Sequence, residues 1–243
     1  MKVIKLDAID STNDFLKDLS GKQLLENFTV VSAENQTKGK GQMGSKWNSE
    51  IGKNLTISIL IKEVLKSNSE IFDLNVAIAL AILTSLEIDN IPNLTVKWPN
   101  DIMSDNKKIA GILIENTIKS SGEIISIVGI GLNVNQINFE SLPKATSLSV
   151  VMGSEFDKEM VLLNILDKIK TNISVLKNDL ASELWFEYNQ KLFKKGVPMP
   201  FSNPKEEKFM GIIQNVNSSG QLVVLLENDA IATFGIKEIQ MLY

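Results

Sequence analysis

Lys108-Ile109-Ala110-Gly111-Ile112-Leu113-Ile114-Glu115, then Ser120-Ser121-Gly122, then Ile124-Ile125-Ser126-Ile127-Val128-Gly129-Ile130-Gly131-Leu132-Asn133-Val134 follow one another in one stretch of chain. Two β-rich runs flank a short polar connection ending in Gly, far too short for the crossover that parallel neighbours need. They read as adjacent antiparallel strands. Outward from this pair, Thr29 to Ala33, Asn54 to Ile61 and Leu94 to Trp98 are further strand candidates, with Leu55, Ile57, Ile59 and Ile61 alternating in the second. Thr12 to Leu19, Ile71 to Glu87 and Asp157 to Leu176 read as helices. The last carries Leu162, Ile165, Leu166, Ile169, Ile173 and Leu176 on one face. Strands at the centre with helices on either side predict an α+β fold, a mixed or antiparallel sheet flanked by helices rather than a doubly wound one.

The chief punctuation comes late. After a helical stretch from Leu180 to Phe193, Gly196, Pro198 and Pro200 break the pattern. Phe209 to Val216, Gln221 to Leu226 and Ala230 to Phe234 then read as strands, separated by Asn217-Ser218-Ser219-Gly220 and Glu227-Asn228-Asp229 turns. Residues 1–193 are expected to form the main domain and 194–243 a small C-terminal β-barrel.

The 243-residue chain has 44% hydrophobic and 22% charged residues, as soluble globular proteins do, and a formal charge of −4 that offers no general field for a polyanion. It contains no Cys, no His and no Arg. Disulfides, cysteine nucleophiles, Ser-His-Asp triads and the usual zinc sites are thereby excluded. Phosphates or carboxylates must be gripped by Lys, backbone amides and neutral side chains, without a guanidinium fork. Met1 to Asp10 lacks the apolar stretch of a secretory signal. The longest apolar run is Val76 to Leu83, eight residues ending at Thr84-Ser85, short of the roughly 18 to 20 needed to span a bilayer. A cytoplasmic location is expected.

Five segments carry candidate chemistry. Gln36 to Trp47 packs Gly39, Gly41 and Gly44 with Lys38, Lys40 and Lys46 between two strands, which suits either a backbone cradle for phosphate or adenylate or a solvated loop. Lys97-Trp98-Pro99-Asn100-Asp101 closes a strand, as a pocket wall or as an ordinary strand exit. Lys108 begins an apolar strand in which the small Ala110 and Gly111 leave room for a flat ligand, unless Lys107 and Lys108 merely form a hairpin tip. Gly129 and Gly131 interrupt a strong β run, implying a bulge or close backbone approach, with Asn133 at the gap. Asp10-Ser11-Thr12-Asn13 precedes a helix, as cap, as ligand contact, or as both.

In order and spacing these segments together resemble the biotin protein ligase family, whose pattern is D-S-T-N, Q-x-x-G-R-G-R-x-G-R-x-W, K-W-P-N-D, K-x-A-G-I-L-x-E and G-x-G-x-N. The resemblance covers most of the first 190 residues and extends to the C-terminal barrel. It implies a class II synthetase-like catalytic domain and an SH3-like barrel. It also implies ATP and biotin as substrates with Mg²⁺, and no metal site on the protein itself. The product is biotinyl-5'-AMP, whose biotin passes to a lysine of a biotin carboxyl carrier protein. By the same resemblance Ser11, Thr12, Asn13 and Gln36 hold the ureido ring, while Gly39, Lys40, Gly41 and Gln42 close over the biotin chain and phosphate. Lys108 meets the carboxylate and α-phosphate, Gly111, Gly131 and Asn133 lie beside adenine, and Asn100 and Asp101 order Mg²⁺ and phosphates. Lys108 and Lys40 are the expected catalytic pair. Two departures stand out. Lys40, Gln42 and Ser45 replace the family's arginines, and Ser11 comes too early for a preceding winged helix, implying a ligase-only type. Nucleic acid and membrane are not expected partners, and a monomer or weak homodimer is. A lipoate or octanoate ligase, or a non-catalytic acyl-adenylate-binding module, remains the alternative.

Overall fold

The computed structural model describes residues 2–243. A seven-stranded sheet is built from β1 (Val3–Ile9), β2 (Val30–Gln36), β3 (Leu55–Lys62), β4 (Leu94–Lys97), β5 (Asp101–Ser104), β6 (Lys107–Ile118) and β7 (Ile124–Leu132). Its order is β1-β2-β3-β7-β6-β5-β4, with β1 and β2 parallel and every other pair antiparallel. The expected mixed sheet is therefore found, and Ile118↔Ile124 closes the β6–β7 hairpin. Four strands have no counterpart among the sequence candidates: β1, considered only as a signal segment, the four-residue β5, and two short strands of the C-terminal sheet.

The helices are α1 (Thr12–Lys22), α2 (Ile71–Ile88), the short α3 (Leu148–Met152), α4 (Lys158–Lys177) and α5 (Ala181–Gln190). Asp157 caps α4, its carboxylate accepting from Glu159 N at 2.9 Å. On β3 the period of two sorts side chains between layers. Leu55, Ile57, Ile59 and Ile61 join the large core beneath α2 and α4, whereas Leu60 joins a smaller cluster with Leu16 of α1, Leu25, Val31 and Ile127. Thr56 and Ser58 share Leu60's face and are buried there too. Two polar residues on an otherwise apolar strand mark where the face under α1 changes from core to site.

α2 corrects one sequence reading. Together with the preceding turn it gives a stretch, Asn68–Ile88, long and apolar enough to cross a membrane by length and composition, well beyond the run ending at Leu83. Thr84 and Ser85 do not end it, because their hydroxyls bond back to Leu80 O and Ile82 O, each at 2.8 Å, and so cancel their polarity within the helix. Leu74, Ala77, Ile78, Ala81 and Ile82 are fully buried, so this is the central core helix.

The helical reading to Phe193 ends early, at Gln190, since Lys191 O and Phe193 N bond the edge strand at Val96 instead. Beyond lies a second antiparallel sheet of β8 (Pro198–Ser202), β9 (Lys208–Val216), β10 (Leu222–Leu226), β11 (Ile231–Phe234) and β12 (Gln240–Met241), in the open order β11-β10-β9-β8-β12. Met199, Phe201, Ile213, Val216, Leu222 and Val224 belong to the same apolar cluster as α2. Trp98 Nε1 donates to Gly220 O at 2.9 Å, and Asn189 exchanges hydrogen bonds with the Val216 backbone at 3.2 and 2.7 Å. The two sheets share one core.

Candidate active site

A cavity of about 240 Å³ opens over β6 and β7, between the N-terminus of α1 and the glycine-rich loop. Ser11, Thr12, Asn13, Gln36, Lys40, Gly41, Gln42, Lys108, Gly111 and Gly131 line it, together with Asn100 and Asp101. Five sequence segments that read separately as loop, cap or strand exit thus meet in one place. Gly39 and Asn133, of the expected residues, are not part of the lining.

The neutral end is a hydrogen-bonded cluster. Ser11 is both cap and lining: its hydroxyl accepts from Asp14 N at 3.4 Å. Gln36 Oε1 accepts from Thr12 N at 2.8 Å and lies 3.0 Å from Thr12 Oγ1. The Ser58 hydroxyl reaches Thr12 Oγ1 at 2.7 Å and Asn13 Oδ1 at 2.6 Å, and Asn13 Nδ2 donates to Glu115 at 2.8 Å. A Cβ at Gly129 would lie 2.5 Å from Asn13 Oδ1, so the bare strand is what admits this side chain. Ser58 and Glu115 were not read as site residues. The signal for Ser58 was its place on an apolar strand.

The cationic end is centred on Lys108. Its ammonium lies 2.6 Å from Asp101 Oδ1 and 5.4 Å from the centre of the Trp47 ring, while Lys97 takes the other Asp101 oxygen at 3.3 Å. The Trp47 indole lies flat on β7, where a Cβ at Gly131 would stand 2.6 Å from its Cζ2, and its Nε1 is buried without a partner. The gap foreseen at Gly111 and Gly131 is therefore occupied by Trp47. Asn100 is tied to the strand, donating to Ile112 O at 2.6 Å.

The loop is a small hairpin in its own right. Gly41 N bonds Ser45 O at 2.7 Å and Trp47 N bonds Gly39 O at 3.0 Å. A Cβ on Gly39 would collide with Trp47 O, and one on Gly41 with Ser45 Oγ. The glycines thus serve the loop's own packing, and the Gly41 N–H is spent within it rather than aimed at an anion. Lys38 bonds Asp10 at 2.8 Å and, with Thr37, holds that carboxyl below its ordinary range. Lys40 bonds Asp14 at 2.7 Å, which raises its ammonium pKa. Both lysines reach toward acids at the start of α1. Asn133 sits past the end of β7, with its N–H on Ile109 O at 2.8 Å and Nδ2 on Thr146 O at 3.0 Å. It braces a loop behind the cavity.

A second hollow of about 510 Å³ adjoins the first, between the loop and the C-terminal sheet, with Lys97, Lys144, Lys237 and Tyr243 on its walls. Lys237 donates to Met43 O at the loop tip, 2.9 Å away, and Lys144 stands 4.3 Å over the Tyr243 ring. Burial first, and the nearby Asp101 charge second, push the Tyr243 hydroxyl up. No cluster of three metal-ligating side chains occurs among the described residues. Asp101 is the only carboxylate on the main cavity's wall, and both its oxygens face lysines. The residues lining this cavity do not make a protein-borne divalent-cation site.

The chain is similar to several known proteins. The bifunctional ligase/repressor BirA of Bacillus spizizenii is 32% identical over 169 residues, covering 68% of this chain and 51% of that protein. The chain thus spans about half the length of that relative. BirA of Escherichia coli is 33% identical over 234 residues, 94% of this chain and 70% of the other. The structure of the Aquifex aeolicus biotin protein ligase in complex with biotin and ATP superposes with a TM-score of 0.80 at 30% identity, covering 99% and 98% of the two chains. The Biotin/lipoate A/B protein ligase family profile matches residues 6–135, and to that family the chain belongs.

Proposed function

We propose that this protein is an ATP-dependent biotin protein ligase. The observation that carries the reading is one cavity with two unlike ends. At one end the uncharged Ser11, Thr12, Asn13 and Gln36 offer donors and acceptors to a neutral heterocycle, and at the other Lys108 is paired with Asp101. A ureido ring with a carboxylate on a flexible chain fits that polarity. The Aquifex ligase, which the chain matches over its length, was solved with biotin and ATP bound.

In the first step a biotin carboxylate oxygen attacks the α-phosphorus of ATP in line. A P–O bond forms as the bond to the β-phosphate bridging oxygen breaks, and pyrophosphate leaves. Lys108 supplies positive charge at the α-phosphate, and the lysines of the adjoining hollow add to it. In the second step the neutral ε-amine of a carrier lysine attacks the mixed anhydride. The C–N bond forms, the C–O bond breaks, and AMP leaves as the amine gives its proton to solvent. No protein nucleophile is needed, so a chain without Cys or His can do this by positioning and electrostatics. We assign the site to Lys108 and Lys40 with Ser11, Thr12, Asn13, Gln36, Gly39, Gly41, Gln42, Gly111, Gly131 and Asn133, of which Gly39 and Asn133 act from behind the wall. The partner is a biotin carboxyl carrier domain, and residues 194–243 are a unit that folds onto 1–193. Biotin-dependent, lipoate-independent exchange of labelled pyrophosphate into ATP tests the reading. Exchange driven by lipoate or octanoate, or none at all, overturns it.

A further inference from the structure

Beneath the neutral end of the cavity four side chains form one hydrogen-bond chain, Glu115 to Asn13 to Ser58 to Thr12, and the Thr12 backbone N–H carries it on to Gln36. Asn13, Ser58 and Thr12 are buried. The end group, Glu115, spends its carboxylate on a neutral amide, while Lys40, whose charge it feels, is bonded to Asp14.

The two ends of the chain leave no freedom in the middle. An ionised carboxylate only accepts, so Asn13 must turn Nδ2 toward Glu115 and Oδ1 toward Ser58. The Ser58 hydroxyl then donates its one proton to Asn13 and accepts from the Thr12 hydroxyl, so Gln36 Oε1 is held by the Thr12 backbone N–H. At the far end the Thr12 backbone N–H can only donate, which turns Gln36 Oε1 inward and leaves Nε2, beneath Gly39, as a donor. Asn13 cannot relieve a mismatch by moving away, because Gly129 backs it so closely that a Cβ would fall 2.5 Å from Oδ1. It can only flip in place.

We propose that Glu115 is a positioning residue that sets the hydrogen-bond polarity of the biotin pocket. It never touches the ligand. With Glu115 ionised, Asn13 and Thr12 present lone pairs, which suit the two N–H groups of a ureido ring, and Gln36 presents an N–H, which suits its carbonyl. An amide at position 115 can donate or accept, so only the long contact of Asn13 Nδ2 with Leu113 O, 3.4 Å, is left to oppose a flip that meets a ligand N–H with an N–H. This inference rests on the biotin reading above.

The test uses the full chain and pyrophosphate exchange, titrating biotin and ATP separately. Glu115→Gln should raise the KM for biotin about tenfold or more, the scale of losing a charge-assisted hydrogen bond, with kcat and the KM for ATP within about twofold of wild type. Moving the charge along the chain should undo the damage. In the double variant Asn13→Asp with Glu115→Gln both oxygens at position 13 only accept, the amide at 115 donates to one of them, and most of the biotin KM should return. Thermal melts accompany each variant. Should Glu115→Gln melt well below wild type, the double variant, which restores an acceptor-only group at position 13, must return both the melting temperature and the biotin KM toward wild type. An unchanged biotin KM in Glu115→Gln, a double variant no better than Glu115→Gln, or a parallel loss of kcat and ATP affinity overturns the proposal. A wild-type chain without biotin-dependent exchange overturns the functional reading along with it, whereas an active wild type with indifferent variants overturns this proposal alone.

Discussion

Replacing Lys108 by Ala separates folding from chemistry, because the structure bounds what each should lose. The ammonium's ion pair with Asp101 is at 2.6 Å with 31% of the lysine side chain exposed, and its contact with the Trp47 ring is at 5.4 Å. A partly exposed pair contributes about 0 to 1 kcal/mol and a partly exposed cation–π contact about 0.5 to 1 kcal/mol. Asp101 is not orphaned, since Lys97 stays 3.3 Å from its other oxygen. The cost to folding should therefore be on the order of 1 to 2 kcal/mol, within the reserve of an ordinary domain. At the α-phosphate, by contrast, one preorganised donor is worth about 2 to 4 kcal/mol in the transition state, or roughly 30- to 1,000-fold in rate. Pyrophosphate exchange at saturating biotin and ATP should fall by that factor, while calorimetric biotin affinity changes little because the neutral end is untouched. An exchange rate within threefold of wild type would remove Lys108 from the α-phosphate. Loss of biotin affinity equal to the loss of rate would make it a ground-state contact instead.

Gly131→Ala should drive the Trp47 indole off β7, since the new Cβ would stand 2.6 Å from Cζ2, raising the KM for ATP more than that for biotin; equal KM values to wild type would mean the indole is not part of the nucleotide's wall. Asp73 accepts from Trp185 Nε1 at 2.7 Å, and burial pushes its carboxyl up, so its contribution to stability is full below the unfolded pKa and is lost as pH rises through the higher folded one. Asp73→Asn should thus raise the urea midpoint at neutral pH, with the gain shrinking as pH falls into the carboxylate range; a gain that grows with acid contradicts the sign. Deleting Gly196 to Tyr243 should strip Trp98 and Asn189 of their partners, open the shared apolar cluster and lower the melting temperature as well as abolish ligation, and a truncated chain with wild-type melting and carrier activity would refute the shared core.

The parts of the fold that could be read from sequence are those where one period dominates. β3, β6 and β7 alternate or run apolar over six residues or more, and α4 repeats at helical spacing. β1 alternates too, but as a half-exposed edge whose outward residues are charged, so it carries little hydrophobic signal. β8 was hidden by Pro198 and Pro200. Pro200 O accepts from Leu242 N at 2.9 Å, so the backbone polar groups at this position face away from β9 and the missing N–H is not taken from the β8–β9 ladder. At the site, sequence proximity identified side chains that share a loop or cap. It could not find Ser58 and Glu115, which reach Asn13 across the sheet from strands far apart in the chain. Nor could it tell that Asn133, one residue beyond β7, turns away to Thr146.

The apolar central helix has a consequence for how the protein is made. α2 is finished at Ile88, but α4, which covers it, is complete only at Lys177, 89 residues later (177 − 88). At about 5 to 20 residues per second a ribosome needs roughly 5 to 20 seconds for that interval. Throughout it the nascent chain displays a segment with the length and hydropathy of a bilayer span and no finished groove in which to hide it. The vulnerable moment in this protein's life falls in mid-synthesis, when targeting factors, chaperones and other nascent chains compete for a helix that the completed fold removes from all of them.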